Sequence, residues 1–239
     1  MANFTLDAGL MGTDIHGKTV GVMGTGTIGI VLCNILLGFG VNLLCCSHSE
    51  NEDIKARGGR YVSKDELFAQ SDILFLMMPL LPSTRHAINH SVLPQLKKGV
   101  ILINTSRGGL VDTKALLEGL RQGIIGGVGM DVYEREQDYF YQDWSAKSID
   151  DPDLEALIGN HNVVLTAHQA FFTTEAVTQI VGTTLENIRN FHNGAKGLAH
   201  PNNCIPVPKP LFRKRSRSDG AAAHENEIKA KKWTTERVA

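Results

Sequence analysis

A surplus of charge of either sign is missing from this sequence. The 239 residues carry a formal net charge of −1, so no global field draws the chain to nucleic acid or to a membrane surface. Cysteine is scarce and its spacing is unremarkable: of Cys33, Cys45, Cys46 and Cys204, two are adjacent, none forms C-x-x-C, and no zinc-ligand spacing appears. Reduced thiols in a cytoplasmic protein, and no metal, are expected. The opening MANFTLDAGLMG lacks a basic cluster followed by an apolar core, so no signal peptide is read there. A clean membrane span is lacking too. Residues 28–46 hold no charge and are nearly long enough to cross a bilayer, but Gly38-Phe39-Gly40 breaks the run and Asn34 and Asn42 interrupt it. A buried helix, a turn and a buried strand explain it better. No internal repeat is visible.

What is present is an ordinary globular composition, 42 % hydrophobic and 21 % charged, enough to build a core. Short apolar runs alternate with longer amphipathic ones. Strands are expected at residues 19–23, 41–46, 73–78, 100–104, 127–132 and 163–166. They are apolar almost throughout, as strands covered on both faces are. Between them, Ile28, Leu32, Ile35, Leu36 and Phe39 recur at helical spacing. Ser63-Lys64-Asp65-Glu66 has the pattern of a capping box, Asp112 is placed to cap a helix holding Ala115, Leu116 and Leu120, and a long helix is expected over residues 174–192, ending near Gly194. Strand alternating with helix predicts an α/β fold, a doubly wound parallel sheet with helices on both faces. After Gly194 the composition changes. Pro206, Pro208 and Pro210 alternate, and Arg213-Lys214-Arg215-Ser216-Arg217 follows. Residues 195–239 read as a disordered tail, whose basic cluster is a solvated charge run, a nuclear import signal or an acid-binding patch.

Gly24-Thr25-Gly26-Thr27-Ile28-Gly29 has the spacing G-x-G-x-x-G, which is informative only after a strand and before a helix; both are predicted here. Gly24 suits the tight turn, Gly26 leaves room for backbone to approach a pyrophosphate, and Gly29 lets helix and strand pack closely. The helix start then offers free N–H groups and a partial positive charge. At the end of the second strand, where an acid usually meets the adenosine ribose, stands Ser47. A serine accepts one hydrogen bond but cannot repel a 2′-phosphate, so discrimination against NADP is in question. Three charged side chains follow later strands: Arg107 in NTSRGG, Glu136 (with Asp131) in MDVYERE, and His168 in LTAHQAF. In an open parallel sheet ligands sit beyond these strand ends. A short-chain dehydrogenase is excluded, because that class needs Tyr-x-x-x-Lys. Tyr61, Tyr133, Tyr139 and Tyr141 are followed four positions later by Asp65, Gln137, Asp143 and Ser145.

The segments NFTLDAGLMG, GKTVGVMGTGTIG, INTSRGGLVD, GMDVYERE and TAHQAFFTTEA together resemble the D-isomer-specific 2-hydroxyacid dehydrogenases, from Asn3 to about Gly194. Within that family the lactate branch, of the bacterial fermentative type, is most similar, and the loop DYFYQDWS suits it. The resemblance implies a Rossmann-like NAD-binding domain over residues 16–194, preceded in residues 1–15 by the remnant of an inter-domain crossover. It implies NAD as cofactor and hydride transfer between D-lactate and pyruvate. Arg107 would hold the substrate carboxylate, His168 would be the acid–base and Glu136 its partner. Asp131 would lie near the nicotinamide amide, and Thr27, Ile28, Met78, Pro79, Thr84 and Thr105 would line the cofactor cleft. It implies further that a separate substrate domain, with its glycine-rich carboxylate loop, is missing from this chain. Association with such a domain, or a homodimer, is then expected, with little turnover by the chain alone. The second reading is an NAD(H)-binding relic or corepressor-like interaction protein on the same fold, prompted by the basic tail.

Overall fold

The computed structural model describes residues 12–192. Cys204, the proline-rich segment and the basic cluster therefore lie outside the described residues, as do residues 1–11 of the expected crossover segment. The chain divides into two units, Met1–Val177 and Thr178–Ala239. The first carries a seven-stranded sheet: β1 (Thr19–Met23), β2 (Asn42–Cys46), β3 (Arg60–Tyr61), β4 (Ile73–Leu76), β5 (Val100–Asn104), β6 (Ile125–Met130) and β7 (Val163–Leu165). Its helices are α1 (Thr27–Gly38), α2 (Glu52–Ala56), α3 (Lys64–Gln70), α4 (Thr113–Arg121), α5 (Glu136–Tyr139) and α6 (Pro152–Ile158), and α7 (Thr174–His192) begins there and supplies the described part of the second unit. Among the described residues no helix is long and apolar enough to cross a membrane.

Every strand pair is parallel, in the order β3-β2-β1-β4-β5-β6-β7. The chain thus runs outward from β1 in one direction, returns to β4, and proceeds in the other. Alternation along each strand sends side chains to two cores. Val20, Val22, Leu43 and Cys45 pack with Cys33, Leu36 and Ile54 on one face. Leu44, Leu74, Leu76 and Leu102 pack with Leu67, Phe68 and Leu116 on the other. Each fully buried leucine of this set contributes about 2 kcal/mol, which is why the strands carry so little polarity. Cys33 and Cys45 face each other with sulfurs 3.8 Å apart and remain free thiols. The shared hydrogen bond, together with burial, pushes the Cys45 thiol well above its ordinary range.

Predicted strands and helices sit where expected, with three departures. First, Ile28, Ile35 and Phe39 were expected in a buried helix but are more than half exposed, at 72 %, 55 % and 53 %. The sheet takes the row Gly29, Cys33 and Leu36 instead. Because α1 is apolar on nearly every side, its periodicity could not select the inward face. Second, Ser63 does cap α3, accepting the Glu66 N–H at 3.1 Å, but the Glu66 carboxylate turns to Arg60 and Gln70 rather than back to the cap. Only half of the capping box forms. Third, Glu136 was expected in a loop and instead starts α5. Strand β3 and helices α2, α5 and α6 are too short to leave a periodic signal.

Candidate functional site

The turn between β1 and α1 lies where the strand order reverses. Gly24 has φ +102°, open to glycine but strained for other residues, and a Cβ there would stand 2.8 Å from the Met77 carbonyl carbon after β4. A Cβ on Gly29 would stand 2.2 Å from the Gly24 carbonyl oxygen, while one on Gly26 would meet nothing within 4 Å. Two glycines therefore compress the turn and the third faces open space. Gly26 is the N-cap of α1 and brings no side-chain cap, so the first-turn N–H groups are not closed off by one. An anionic diphosphate fits such a cradle. Thr27 and Ile28, the first helical residues, are exposed beside it.

Ser47 leaves the end of β2 directly against this turn, its Oγ accepting the Thr25 N–H at 3.3 Å. Thr25, almost fully buried, donates its hydroxyl to the Ser49 carbonyl at 3.4 Å and accepts from the Tyr61 hydroxyl at 3.0 Å. Tyr61 in turn accepts the Asn51 N–H at 2.9 Å. The sequence singled out Ser47 but not Tyr61, whose role depends on β3 pairing beside β2. Of the other proposed cleft residues, Thr84 closes its own loop, donating to Pro79 and accepting from the Leu81 N–H. Thr105 is exposed with its hydroxyl 3.9 Å from the Met77 sulfur. Met78 is partly buried and Pro79 exposed.

Arg107 follows β5 in a turn built by Asn104, a buried side chain that the sequence did not flag. Its Oδ1 accepts the Ser106 N–H at 3.1 Å and its Nδ2 donates to the Arg107 carbonyl at 2.9 Å. An asparagine mimicking a backbone turn in this way is a known local device. The Arg107 guanidinium itself is exposed and donates to the Ser106 carbonyl at 2.6 Å.

The segment after β6 joins the surrounding loops. Tyr133 donates to Asp151 at 2.7 Å, and Asp151 caps α6 through the N–H groups of Asp153 and Leu154. Burial, reinforced by Asp151, pushes the Tyr133 phenol up. Glu134 gathers His86 at 2.6 Å, Arg85 at 3.1 Å and the Thr113 hydroxyl at 3.2 Å, tying the loop after β4 to α4. Glu136 accepts the Tyr133 N–H at 3.1 Å on one oxygen and lies 2.9 Å from the His168 Nδ1 with the other. Asp131 is buried and holds the loop after β7. Its carboxylate accepts the Thr166 hydroxyl and the N–H groups of Gln169 and Ala170, both at 2.9 Å. Burial works against that charge, but these donors and the nearby His168 outweigh it and hold the Asp131 carboxyl below its ordinary range.

His168 adopts φ +49°, in the left-handed region that L-residues rarely enter. The local cost, about 1–3 kcal/mol, is met by its surroundings: its N–H donates to the Asp131 carbonyl at 2.6 Å and its carbonyl accepts the Tyr141 hydroxyl at 2.9 Å. Tyr141 comes from the loop DYFYQDWS, itself pinned by the Trp144 indole N–H on the Tyr139 carbonyl at 2.8 Å. Glu136 and His168 are thus brought into contact, whereas the Arg107 guanidinium bonds to the Ser106 carbonyl and to neither of them. A cleft of about 380 Å³ opens at the ends of β5, β6 and β7, lined by Thr105, Asp131, Thr166 and Gln169 among others. Among the described residues no group of three or more His, Cys, Asp or Glu side chains could hold a metal ion.

Comparison with known proteins agrees with this architecture. Residues 2–170 match the family model described as D-isomer specific 2-hydroxyacid dehydrogenase, NAD binding domain. A 2-hydroxyacid dehydrogenase homolog of Haemophilus influenzae is 46 % identical over 193 residues, 81 % of this chain and 58 % of that protein. The D-lactate dehydrogenase of Escherichia coli is 45 % identical over 193 residues, with the same coverage of 81 % and 58 %. The structure of an Aquifex aeolicus D-lactate dehydrogenase complexed with NAD and lactic acid superposes with a TM-score of 0.75 at 34 % identity, covering 81 % of this chain and 59 % of that one. The chain spans just under three-fifths of the length of the relatives it matches. With the glycine turn at the reversal of a parallel sheet and the family match over most of its length, this chain belongs to the D-isomer specific 2-hydroxyacid dehydrogenases and carries their NAD-binding domain.

Proposed function

We propose that the chain supplies the cofactor-holding and acid–base half of an NAD-dependent 2-hydroxyacid dehydrogenase acting on a small pair of the D-lactate and pyruvate type. The observation that carries this reading is the Glu136–His168 contact at 2.9 Å, formed at the carboxyl edge of the sheet that bears the glycine turn. Gly24, Gly26 and Gly29, with the start of α1, would hold the diphosphate of NAD. Bound there, the nicotinamide would supply the hydride. The remaining chemistry belongs to the protein. Glu136 takes Nδ1 of His168 and fixes the ring, which leaves Nε2 to give a proton to, or take one from, the oxygen at C2. Arg107 presents a planar fork of donors suited to a carboxylate. Asp131, with its oxygens engaged by the loop, positions His168 from behind.

Three results test the reading. NADH titrated into the 239-residue chain is expected to bind, read by nucleotide fluorescence, while pyruvate-dependent NADH oxidation stays well below roughly 10 s⁻¹. The reason is exposure. Arg107 stands in solvent and the His168 side chain is 30 % exposed, so one open wall gives little positioning or exclusion of water. Whatever oxidation occurs is expected to fall about 100-fold or more in His168→Ala, with NADH affinity retained; full turnover by the chain or its variant would refute this assignment. Gly26→Val fills the open space before the turn. It is expected to weaken NADH binding at least tenfold and leave the melting temperature within about 2 °C, since its Cβ meets no protein atom within 4 Å. A large drop in melting temperature would mean that the space is not free.

A further inference from the structure

We propose, resting on the cofactor reading above, that this chain does not discriminate between NADH and NADPH, and that Ser47 is the residue responsible. Choice between the two cofactors is made at the adenosine ribose, beyond the end of β2. There a carboxylate accepts hydrogen bonds from the ribose hydroxyls and repels a 2′-phosphate. In this chain the residue that meets the glycine turn from β2 is Ser47, seen directly in the Thr25 N–H to Ser47 Oγ bond at 3.3 Å.

The chemistry of that hydroxyl is specific. A serine offers one donor and two lone pairs, whereas an ionised carboxylate only accepts. Thr25 occupies one lone pair, leaving an O–H donor and one acceptor site. The donor suits a phosphate oxygen; the remaining lone pair suits a ribose hydroxyl. Either cofactor finds a partner, and neither meets a negative charge at this position.

The surrounding groups reinforce the point. Thr25, Ser49, Asn51 and Tyr61 satisfy one another through neutral hydrogen bonds. No acid is needed to hold the end of β2 together. The nearest carboxylates in sequence, Glu50 and Glu52, both close on Lys55 Nζ at 2.9 Å. That ammonium offsets one of the two charges, and Asp53 stands in the first turn of α2, whose N-terminus is capped by Asn51. His48 is exposed next to Ser47, and the exposed Arg57 reaches Asn34 on α1. No acid among the described residues is hydrogen-bonded to Ser47 or to Thr25, so the position that meets the glycine turn is neutral.

The test is a pair of titrations followed by nucleotide fluorescence and by calorimetry, using NADH and NADPH with the whole chain, Ser47→Asp and Ser47→Asn. Circular dichroism melts check that each variant is folded. For the unaltered chain the two dissociation constants are expected to agree within about tenfold. Ser47→Asp is expected to tighten NADH severalfold and to weaken NADPH by about 30-fold or more, because like charges brought together in a partly enclosed site repel strongly. Ser47→Asn, of similar size to the aspartate and uncharged, is expected to keep the ratio of the unaltered chain. If NADH binds and NADPH binds more than 100-fold more weakly, the proposal is overturned and the dehydrogenase reading stands. If the ratio is near unity but Ser47→Asp leaves it unchanged, Ser47 is not the determinant. If neither nucleotide binds, the cofactor reading itself falls, and this proposal with it.

Discussion

Gly108→Ala is expected to destabilise the first unit by about 3 kcal/mol or more, although only one methyl group is added. An ideal Cβ at this position would lie 2.1 Å from both the carbonyl carbon and oxygen of Tyr133, and 2.5 Å from the Glu134 nitrogen. These are backbone atoms, so no side-chain rotation relieves the overlap. The clash falls where the turn after β5, which presents Arg107, leans on the segment after β6, which presents Glu136. Separating them would move two of the three proposed catalytic groups apart. The measurement is the urea midpoint with the melting temperature, which should drop by roughly 6–12 °C for a chain of this size. Gly26→Ala is the control, having open space around its Cβ. Equal stability of the two variants would show that the turn after β5 can slide away from β6 without loss.

Asp131→Asn should be nearly as damaging at neutral pH and much less so in acid. The substitution keeps the shape but turns one acceptor oxygen into a donor that faces a backbone N–H, since Gln169 and Ala170 donate to different oxygens. Three donors now converge on the carboxylate, from Thr166, Gln169 and Ala170. The bonds are part-buried, and leaving one such donor unmatched while removing the acceptor's charge costs about 1–3 kcal/mol, which is the loss expected. The pH dependence follows from the lowered carboxyl pKa of the folded state. A group ionised more readily in the folded chain than in the unfolded one, whose pKa is about 3.9, stabilises the fold fully above that value. The contribution is lost as pH falls through the folded-state pKa. The difference in urea midpoint between the unaltered chain and Asp131→Asn should thus be constant from about pH 8 to pH 5 and shrink below about pH 4. A difference that persists undiminished at pH 3 would assign the effect to shape rather than charge. Asp72 adds a slope of the same sign: burial opposes its ionisation, but Lys97 at 2.7 Å and the Thr19 N–H at 2.9 Å outweigh that.

Most of the fold was legible because its signals are local. A strand covered on both faces needs nearly continuous apolar residues, and β1 and β5 show them over the residues predicted. Helix caps are equally local, and Asp112 accepts the N–H groups of Lys114 and Ala115 as expected. The site was legible in part. Gly24, Ser47, Arg107, Asp131, Glu136 and His168 were chosen because each lies at or beyond the end of a predicted strand. What spacing could not convey is which of them meet. The Asp131 carboxylate, for example, takes all its hydrogen bonds from the loop that carries His168. Asn104, Tyr61, Glu134 and Tyr141 went unnoticed because single polar residues in turns give no periodic signal, and their partners lie on other elements.

By itself, then, the order of apolar runs, caps and glycines determined a parallel α/β sheet with a nucleotide turn after its first strand, since those preferences act over a few residues. Tertiary structure alone decided that α1 buries Gly29, Cys33 and Leu36 while leaving Ile28, Ile35 and Phe39 outside. It alone brought Glu136 to His168 across 32 positions of sequence and set the Tyr61 hydroxyl of β3 against Thr25 in the glycine turn. The physical reason is common to all three: which side chains become neighbours depends on strand order and helix rotation, and these are set by packing the whole sheet at once.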